Sequence, residues 1–309
     1  MQNPIIVITG ATASGKTALS FDLAKKFNGE IICADSMTIY RGMDIGTDKP
    51  SPIRNSKFEI RNSDGGYTIN GVQHHLLDEL DPDEEFNVSI FCQKVEQKIA
   101  EIRSRGNVPF LVGGSLFYID AFVYDYSLPP VEPDEDLRSE LDKKPLDILW
   151  KQLVELDPDA EWTVDKKNRR RVVRALEVCL KTGKPFTGQK TKKNLKEDVL
   201  YLVVEREREE LYQRINKRVD EMMDMGLLDE VRELYKKYDH NTAMQASGYK
   251  QLTEYLDGKS SLEQAVENTK RSHRNFAKRQ LTWLKRNPDK ILVTDPGSAE
   301  KIVSKFLNS

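Results

Sequence analysis

Gly10-Ala-Thr-Ala-Ser-Gly-Lys-Thr17 fits the pattern GxxxxGK[ST] and stands between the apolar run Ile5–Gly10 and the amphipathic stretch Thr17–Phe27. A strand, a glycine-rich turn and a helix in that order build an anion nest. Backbone N–H groups and the helix N-terminus face the ligand, Lys16 adds a point charge, and the Thr17 hydroxyl suits Mg²⁺. The motif selects phosphates and diphosphates without choosing among them. Asp35 closes the next apolar run, Glu30–Asp35, at the carboxyl end where open α/β sheets gather their ligands. A carboxylate there can accept a proton from an incoming nucleophile, or it can cap the following turn. Val108–Gly113, the strand that could carry a Mg²⁺-holding acid, runs into Gly113-Gly114-Ser115 without one, unlike motor ATPases and switch GTPases. The sequence also lacks an aspartate-rich DDxxD cluster, so a diphosphate here depends on the loop and on basic residues. Ile39–Thr47, with two glycines and mixed polarity, reads as a substrate-binding loop. His74-His75 has no Cys or spaced His partner and reads as packing or loop anchoring rather than zinc ligation.

A second chemistry is written in the charge. The net charge is −2, yet Lys166–Lys196 holds twelve Lys or Arg against the single acid Glu177, and Lys270–Arg286 holds seven against none. Such clustering points to a polyanionic partner. Arg170 and Arg174 stand four apart, on one helical face. His273, Arg274, Phe276, Lys278, Arg279 and Trp283 interleave cations with rings, the texture that holds a backbone while stacking unpaired bases.

These residues need a scaffold, and 309 residues suffice for two domains. Ile5–Gly10, Glu30–Asp35, Val108–Gly113, Val199–Glu205 and Ile291–Asp295 predict strands, mostly as continuous apolar runs that suit parallel strands covered on both faces. Helical spacing over Thr17–Phe27 and Asn87–Arg105 alternates with them. The predicted class is α/β, a P-loop NTPase-like core with a mostly parallel sheet, plus a small helical insertion domain. The insertion opens with the proline-rich break Tyr126–Pro133 and carries helices over Leu146–Leu156 and Arg171–Leu180, then a basic return over 183–197. The domains are 1–124 for the first part of the core, 125–198 for the insertion and 199–309 for the rest of the core. In that last part, Arg206–Tyr238 and Leu262–Lys285 each predict one long helix. Three scattered cysteines, no apolar run of membrane length and no secretory leader predict a cytoplasmic chain with no membrane attachment. A monomer is the expected state.

The blocks GATASGKT, DSMTIYRGMDIGTDKP, HHLLDELDP, PFLVGGSLFYI, NRRRVVRALEVCLKTGKP, QASGYKQL and AKRQLTWLKR occur in this order over nearly the whole chain. Together they resemble the tRNA dimethylallyltransferase family, bacterial type, with no C2H2 finger after Arg286. The resemblance implies transfer of a dimethylallyl group from dimethylallyl diphosphate to N6 of the adenosine 3′-adjacent to the anticodon, in tRNAs reading codons that begin with U. It implies that Gly10, Ala11, Thr12, Ala13, Ser14, Gly15, Lys16 and Thr17 bind the prenyl diphosphate, with Arg214 and Arg218 beside the departing diphosphate. Asp35, Thr12 and Lys16 are implied to be catalytic, with Asp35 the general base, and Mg²⁺ to sit on Thr17. Against the tRNA anticodon stem-loop it sets Asp35, Ser36, Met37, Thr38, Ser115, Arg138, Arg170, Arg171, Val172, Val173 and Arg174. Gln245, Ala246, Ser247, Gly248, Tyr249, Lys250, Lys278, Arg279, Gln280 and Trp283 complete that implied surface. Ala11 stands where the family usually has Pro, Ser115 where it usually has Thr, and Leu116-Phe117 departs as well. The residues alone leave three other readings open: a small-metabolite kinase, prenyl transfer to free AMP, and an NTP-gated RNA-binding protein.

Overall fold

Ile5–Gly10 forms β1, and all six of its residues are buried because strands flank it on both sides and helices cover both faces. The computed structural model describes residues 4–50, 58–61, 67–127, 129, 131–189, 193–196, 198–239 and 241–309. Its other strands are β2 (Gly29–Cys33), β3 (Phe58–Arg61), β4 (Tyr67–Ile69), β5 (Val72–His75), β6 (Val108–Gly113), β7 (Val199–Val204) and β8 (Ile291–Val293). They form one sheet in the order β3-β4-β5-β2-β6-β1-β7-β8, parallel from β5 to β8, with antiparallel pairs only at the β3–β4–β5 edge. The chain steps outward from β1 to β2, returns to β6 and later resumes at β7, so the carboxyl ends of β1, β2 and β6 meet at one crevice.

The core helices are α1 (Lys16–Lys26), α2 (Val88–Ser104) and α3 (Leu116–Val123) in the first half. Ile6, Ile8, Ile31, Phe110, Val112, Leu200 and Leu202 pack with Leu19 and Leu23 of α1 in one apolar cluster. α2 buries Phe91, Val95, Ile99 and Ile102 at helical spacing and packs against β2, β6 and α3. Asn87 begins it by accepting from the N–H groups of Ser89 and Ile90.

The insertion is a separate compact unit, residues 124–195, while 1–123 and 196–309 form the other. It contains α4 (Glu135–Asp142), α5 (Leu146–Leu156), α6 (Ala160–Thr163) and α7 (Arg169–Thr182). Leu141, Leu149, Leu153, Val172, Leu176 and Val178 make a core of its own. Asp134 and Asn168 cap α4 and α7, and Gly183, at φ 66°, ends α7 in the left-handed region. Leu128 and Pro130 of the expected break, and 190–192 and 197 of the basic return, lie outside the described residues.

The second half of the core holds α8 (Arg208–Asp224), α9 (Leu227–Tyr238), α10 (Tyr249–Leu256), α11 (Leu262–Lys285) and α12 (Pro296–Leu307). Two expectations need correction. Arg206–Tyr238 is not one helix, because Gly226 turns at φ 95° and starts α9 afresh. The sheet also has three more strands than the five predicted, with Asn70 and Gly71 (φ 51° and 78°) turning β4 into β5. Among the described residues no helix is long and apolar enough to cross a membrane.

Candidate active site

The glycine-rich loop crosses from β1 to α1 with no side chain capping the helix. Gly15 stands at the N-cap with φ 100°, so the first-turn N–H groups of α1 are left for a ligand. Gly10 admits no side chain, since a Cβ there would stand 2.8 Å from the Val204 carbonyl oxygen. The loop's carbonyls are turned outward and held by arginines. Arg206 Nε donates to Ser14 O at 2.6 Å, and Arg214 Nε donates to Ala13 O at 2.9 Å. Arg218 Nη1 donates to Thr12 Oγ1 at 3.2 Å and pairs with Asp48.

Ala13, Gly15, Lys16 and Thr17 line a cavity of about 480 Å³, facing Asp48, Lys49, Arg214 and Arg218. Gly10, Ala11, Thr12 and Ser14 do not line it and instead shape the loop. Ala11 packs on Leu211, Ile215 and Ala277, and Ser14 is buried. Burial pulls the Lys16 ammonium below the ordinary lysine range, and the Asp35 charge acts against that shift. The cation and the carboxylate therefore sense one another.

Asp35 lies just past β2 in a segment tied to the end of β6. Ala34 N donates to Val112 O at 2.7 Å, Ser115 N to Ala34 O at 3.1 Å, and Ser36 N to Ser115 Oγ at 2.9 Å. Asp35 Oδ1 accepts from Met37 N at 2.9 Å, so the turn-capping role and the strand-end position are both present. No side chain fits at Gly113, where a Cβ would stand 1.9 Å from Ala34 O. That close approach keeps the Asp35 segment against β6.

The opposite wall is built by residues that local sequence patterns did not single out. Lys49 is 1% exposed, and its ammonium donates to Tyr40 O at 2.8 Å, to Asp44 Oδ1 at 2.7 Å and to Asp78. Glu230 on α9 accepts from the N–H groups of Asp44, Ile45 and Gly46 at 3.1, 2.7 and 3.1 Å, and from the Tyr249 hydroxyl at 2.7 Å. Arg206 joins this group of unforeseen residues. Glu230 and Arg206 act across long stretches of chain, which periodicity does not report.

Of the core residues that the resemblance sets against tRNA, Lys250, Lys278 and Arg279 are exposed, and Gln245, Ala246 and Ser247 are partly so. Tyr249 needs correction as a direct contact: it is fully buried, its ring against Gly46. Gln280 is 3% exposed and bonded within the protein, and the Trp283 indole N–H donates to Asp120 Oδ2 at 2.7 Å. In the insertion, Arg170 and Arg171 are exposed, whereas Val172 and Val173 are core residues and cannot present side chains to RNA. Arg174 does not share a free face with Arg170. It donates to Glu177 at 2.5 Å and to Val131 O at 2.8 Å. Arg138 makes a two-pronged pair with the same fully buried Glu177, at 2.9 and 3.0 Å. Burial pushes the Glu177 carboxyl up, and the two arginines outweigh it and hold it low. His75 lies buried against Glu30 at 2.6 Å, with Arg105 and Asn107 on the same carboxylate, an anchoring role as expected.

A family model described as IPP transferase matches residues 38–287. A tRNA dimethylallyltransferase of Bacillus licheniformis is 45% identical over 93% of this chain and 89% of its own length. One from Shouchella clausii is 42% identical over 94% and 91%. The crystal structure of a full-length tRNA isopentenylpyrophosphate transferase from Bacillus halodurans is 37% identical with TM-score 0.70, covering 99% of this chain and 97% of that one. A eukaryotic dimethylallyltransferase captured acting on tRNA is 31% identical with TM-score 0.76, covering 98% and 77%.

Proposed function

The chain belongs to the IPP transferase family, and on that premise we propose that it is a tRNA dimethylallyltransferase. It moves a dimethylallyl group from dimethylallyl diphosphate to N6 of the adenosine 3′-adjacent to the anticodon, in tRNAs reading codons that begin with U. The observation that carries this reading is the pairing of an uncapped glycine-loop nest, with Lys16 lining the cavity beside it, and the Asp35 carboxylate just past the end of β2 in a segment tied to β6.

The chemistry asks for both halves. The exocyclic adenine amine is a weak nucleophile because its lone pair is delocalised into the ring. As N6 bonds to the allylic carbon, that carbon's bond to the diphosphate oxygen breaks and the N6 proton passes to Asp35. The diphosphate leaves carrying the electron pair, and its charge develops against the α1 N-terminus, Lys16, Arg214 and Arg218. The target base must leave its stack to reach Asp35, at a cost of about a few kcal/mol that RNA backbone contacts offset.

The donor set also fits Mg²⁺. The exposed Thr17 hydroxyl opens onto the cavity and β6 ends without a carboxylate, which suits an ion held by one hydroxyl, substrate oxygens and water. Bound there, it neutralises phosphate charge. That no disulfide joins cysteines among the described residues supports a cytoplasmic setting, and the enzyme is proposed to act as a monomer, which size-exclusion chromatography tests. The deciding assay incubates the protein with bulk tRNA and either labelled dimethylallyl diphosphate or γ-labelled ATP. Label in tRNA from the prenyl donor supports the proposal. Phosphate transfer from ATP replaces it with a kinase, and preference for AMP over tRNA replaces the acceptor.

A further inference from the structure

Gln280 lies on α11, buried to 3% exposure, between two segments that approach it from opposite sides. Its Oε1 accepts the Thr12 N–H of the glycine-rich loop at 2.8 Å. Its Nε2 donates to Gly114 O, just past β6, at 2.9 Å. The amide orientation is forced, because a backbone N–H can only donate and a carbonyl can only accept. Gly114 is shaped to match: a Cβ there would stand 2.6 Å from Gln280 Nε2 and 3.8 Å from Lys16 Nζ.

We infer that Gln280 is a positioning residue of the prenyl-transfer site, a clamp that fixes the diphosphate nest relative to the strand end bearing the base. One end of the clamp sets the loop that precedes Lys16. The other sets the Gly113–Ser115 turn, whose Ser115 backbone N–H and hydroxyl hold Ala34 O and Ser36 N on either side of Asp35. Only a side chain with a donor and an acceptor on one planar end bridges an N–H and a C=O in this way. The Thr12 N–H, engaged by Gln280, is withdrawn from the ligand, which leaves the N–H groups nearer the α1 N-terminus to face the diphosphate. The inference rests on the donor-nest reading of the loop and departs from the tRNA contact that the family resemblance implies for this position.

The test compares Gln280→Glu, Gln280→Met and Gly114→Ala with the wild type and with Lys16→Ala. Dissociation constants are measured for dimethylallyl diphosphate without tRNA and for tRNA without donor, together with kcat and KM. The Gln280 and Gly114 variants should weaken donor binding by about tenfold or more, and leave tRNA affinity within about twofold, as expected when a buried donor or acceptor is orphaned. In Gln280→Glu the carboxylate still accepts from Thr12 N–H but opposes Gly114 O. Protonation restores a donor there, so this variant's defect should shrink as pH falls from about 8 to 6 relative to wild type. Donor affinity is therefore read beside Tm at each pH: a rescue of affinity at unchanged Tm reports positioning, and a rescue that only follows Tm reports folding and overturns the inference. Gly114→Ala combined with Gln280→Met should cost little more than either alone, since both break one contact. The inference is overturned if the variants lose tRNA affinity while donor binding stays at the wild-type value. It is equally overturned if Gln280→Met, or Gly114→Ala where the first does not fold, binds donor normally. Normal donor binding by Lys16→Ala would instead show that the nest reading underneath is wrong.

Discussion

In the proposed reaction Lys16 and Asp35 divide the work at the scale of single residues, and their variants should fail in different ways. Lys16→Ala removes one of the cations that line the cavity beside the glycine-rich loop and none from the exposed basic surfaces. Donor binding should be lost while tRNA affinity stays near wild type, which paired titrations of the two ligands check; an equal loss of both would overturn this assignment. Asp35→Asn keeps the acceptor of the Met37 N–H bond in place but removes the base. Single-turnover rate should fall by a factor on the order of 10² with tRNA still bound, and a rate near wild type would remove Asp35 from the mechanism. These two residues were legible in the sequence because their context is local: apolar run, glycine turn and amphipathic run for one, a strand end for the other. Glu230 and Asp48 were not, since each acts on a segment far away in the chain and shows no local pattern, and Gln280 was singled out only as an implied tRNA contact, not for its bonds to Thr12 and Gly114. Val172, Val173 and Tyr249 erred the other way, because a block match reports position without reporting which side of a helix faces inward.

At the scale of elements, α9 and α10 act as a brace for the loop that forms one cavity wall. Burial and the Glu230 charge push the Tyr249 phenol well above its ordinary range, so it stays a donor at every working pH. Tyr249→Phe should therefore lower stability by about 1–3 kcal/mol, the cost of leaving part of a half-buried carboxylate unsatisfied. tRNA affinity should not change; a loss of tRNA affinity at unchanged Tm would restore a direct contact. A second element-scale expectation concerns the β2–β5 edge. Burial drops the His74 imidazole to about 4, and Glu30, although burial pushes it up, is held at about 2 by His75, Arg105 and Asn107. Both groups have folded values below their unfolded ones, so both give stability that is present above the unfolded value and lost on acidification. Tm should fall first between about pH 6.5 and 4 through His74, and then further between about pH 4.5 and 2 through Glu30. Thermal melts of His74→Leu should lose the first step and keep the second. This edge was the part of the fold least visible beforehand. Strands of three or four residues are too short for periodicity, although Asn70-Gly71 was a usable hairpin signal.

On the scale of the whole molecule, net charge near zero conceals two basic surfaces, and the insertion can be asked how much of the RNA attraction it carries. The count of twelve cations over Lys166–Lys196 overstates the free charge. Arg174 is committed to Glu177 beside Arg138, and Arg169 to Asp142 and the end of α4. Exposed Arg170 and Arg171 at the start of α7 are the better candidates for phosphate contact. Each phosphate they neutralise releases condensed counterion, with a log–log salt slope of roughly −0.7 per contact on single strands. The double variant Arg170→Ala/Arg171→Ala should flatten the slope for tRNA by about one unit and weaken different tRNAs alike, because phosphate contacts position without reading sequence. Its melting temperature and its single-turnover rate at saturating tRNA should survive. Arg174→Ala should behave in the opposite way. It strips one partner from a carboxylate with no exposure, which costs on the order of 3 kcal/mol, so the insertion should lose stability before the salt slope moves. Salt titrations of tRNA binding beside thermal melts separate the two variants. A wild-type slope in the double variant would reduce the start of α7 to a solvated face, and a flattened slope in a fully stable Arg174→Ala would return that arginine to the RNA surface.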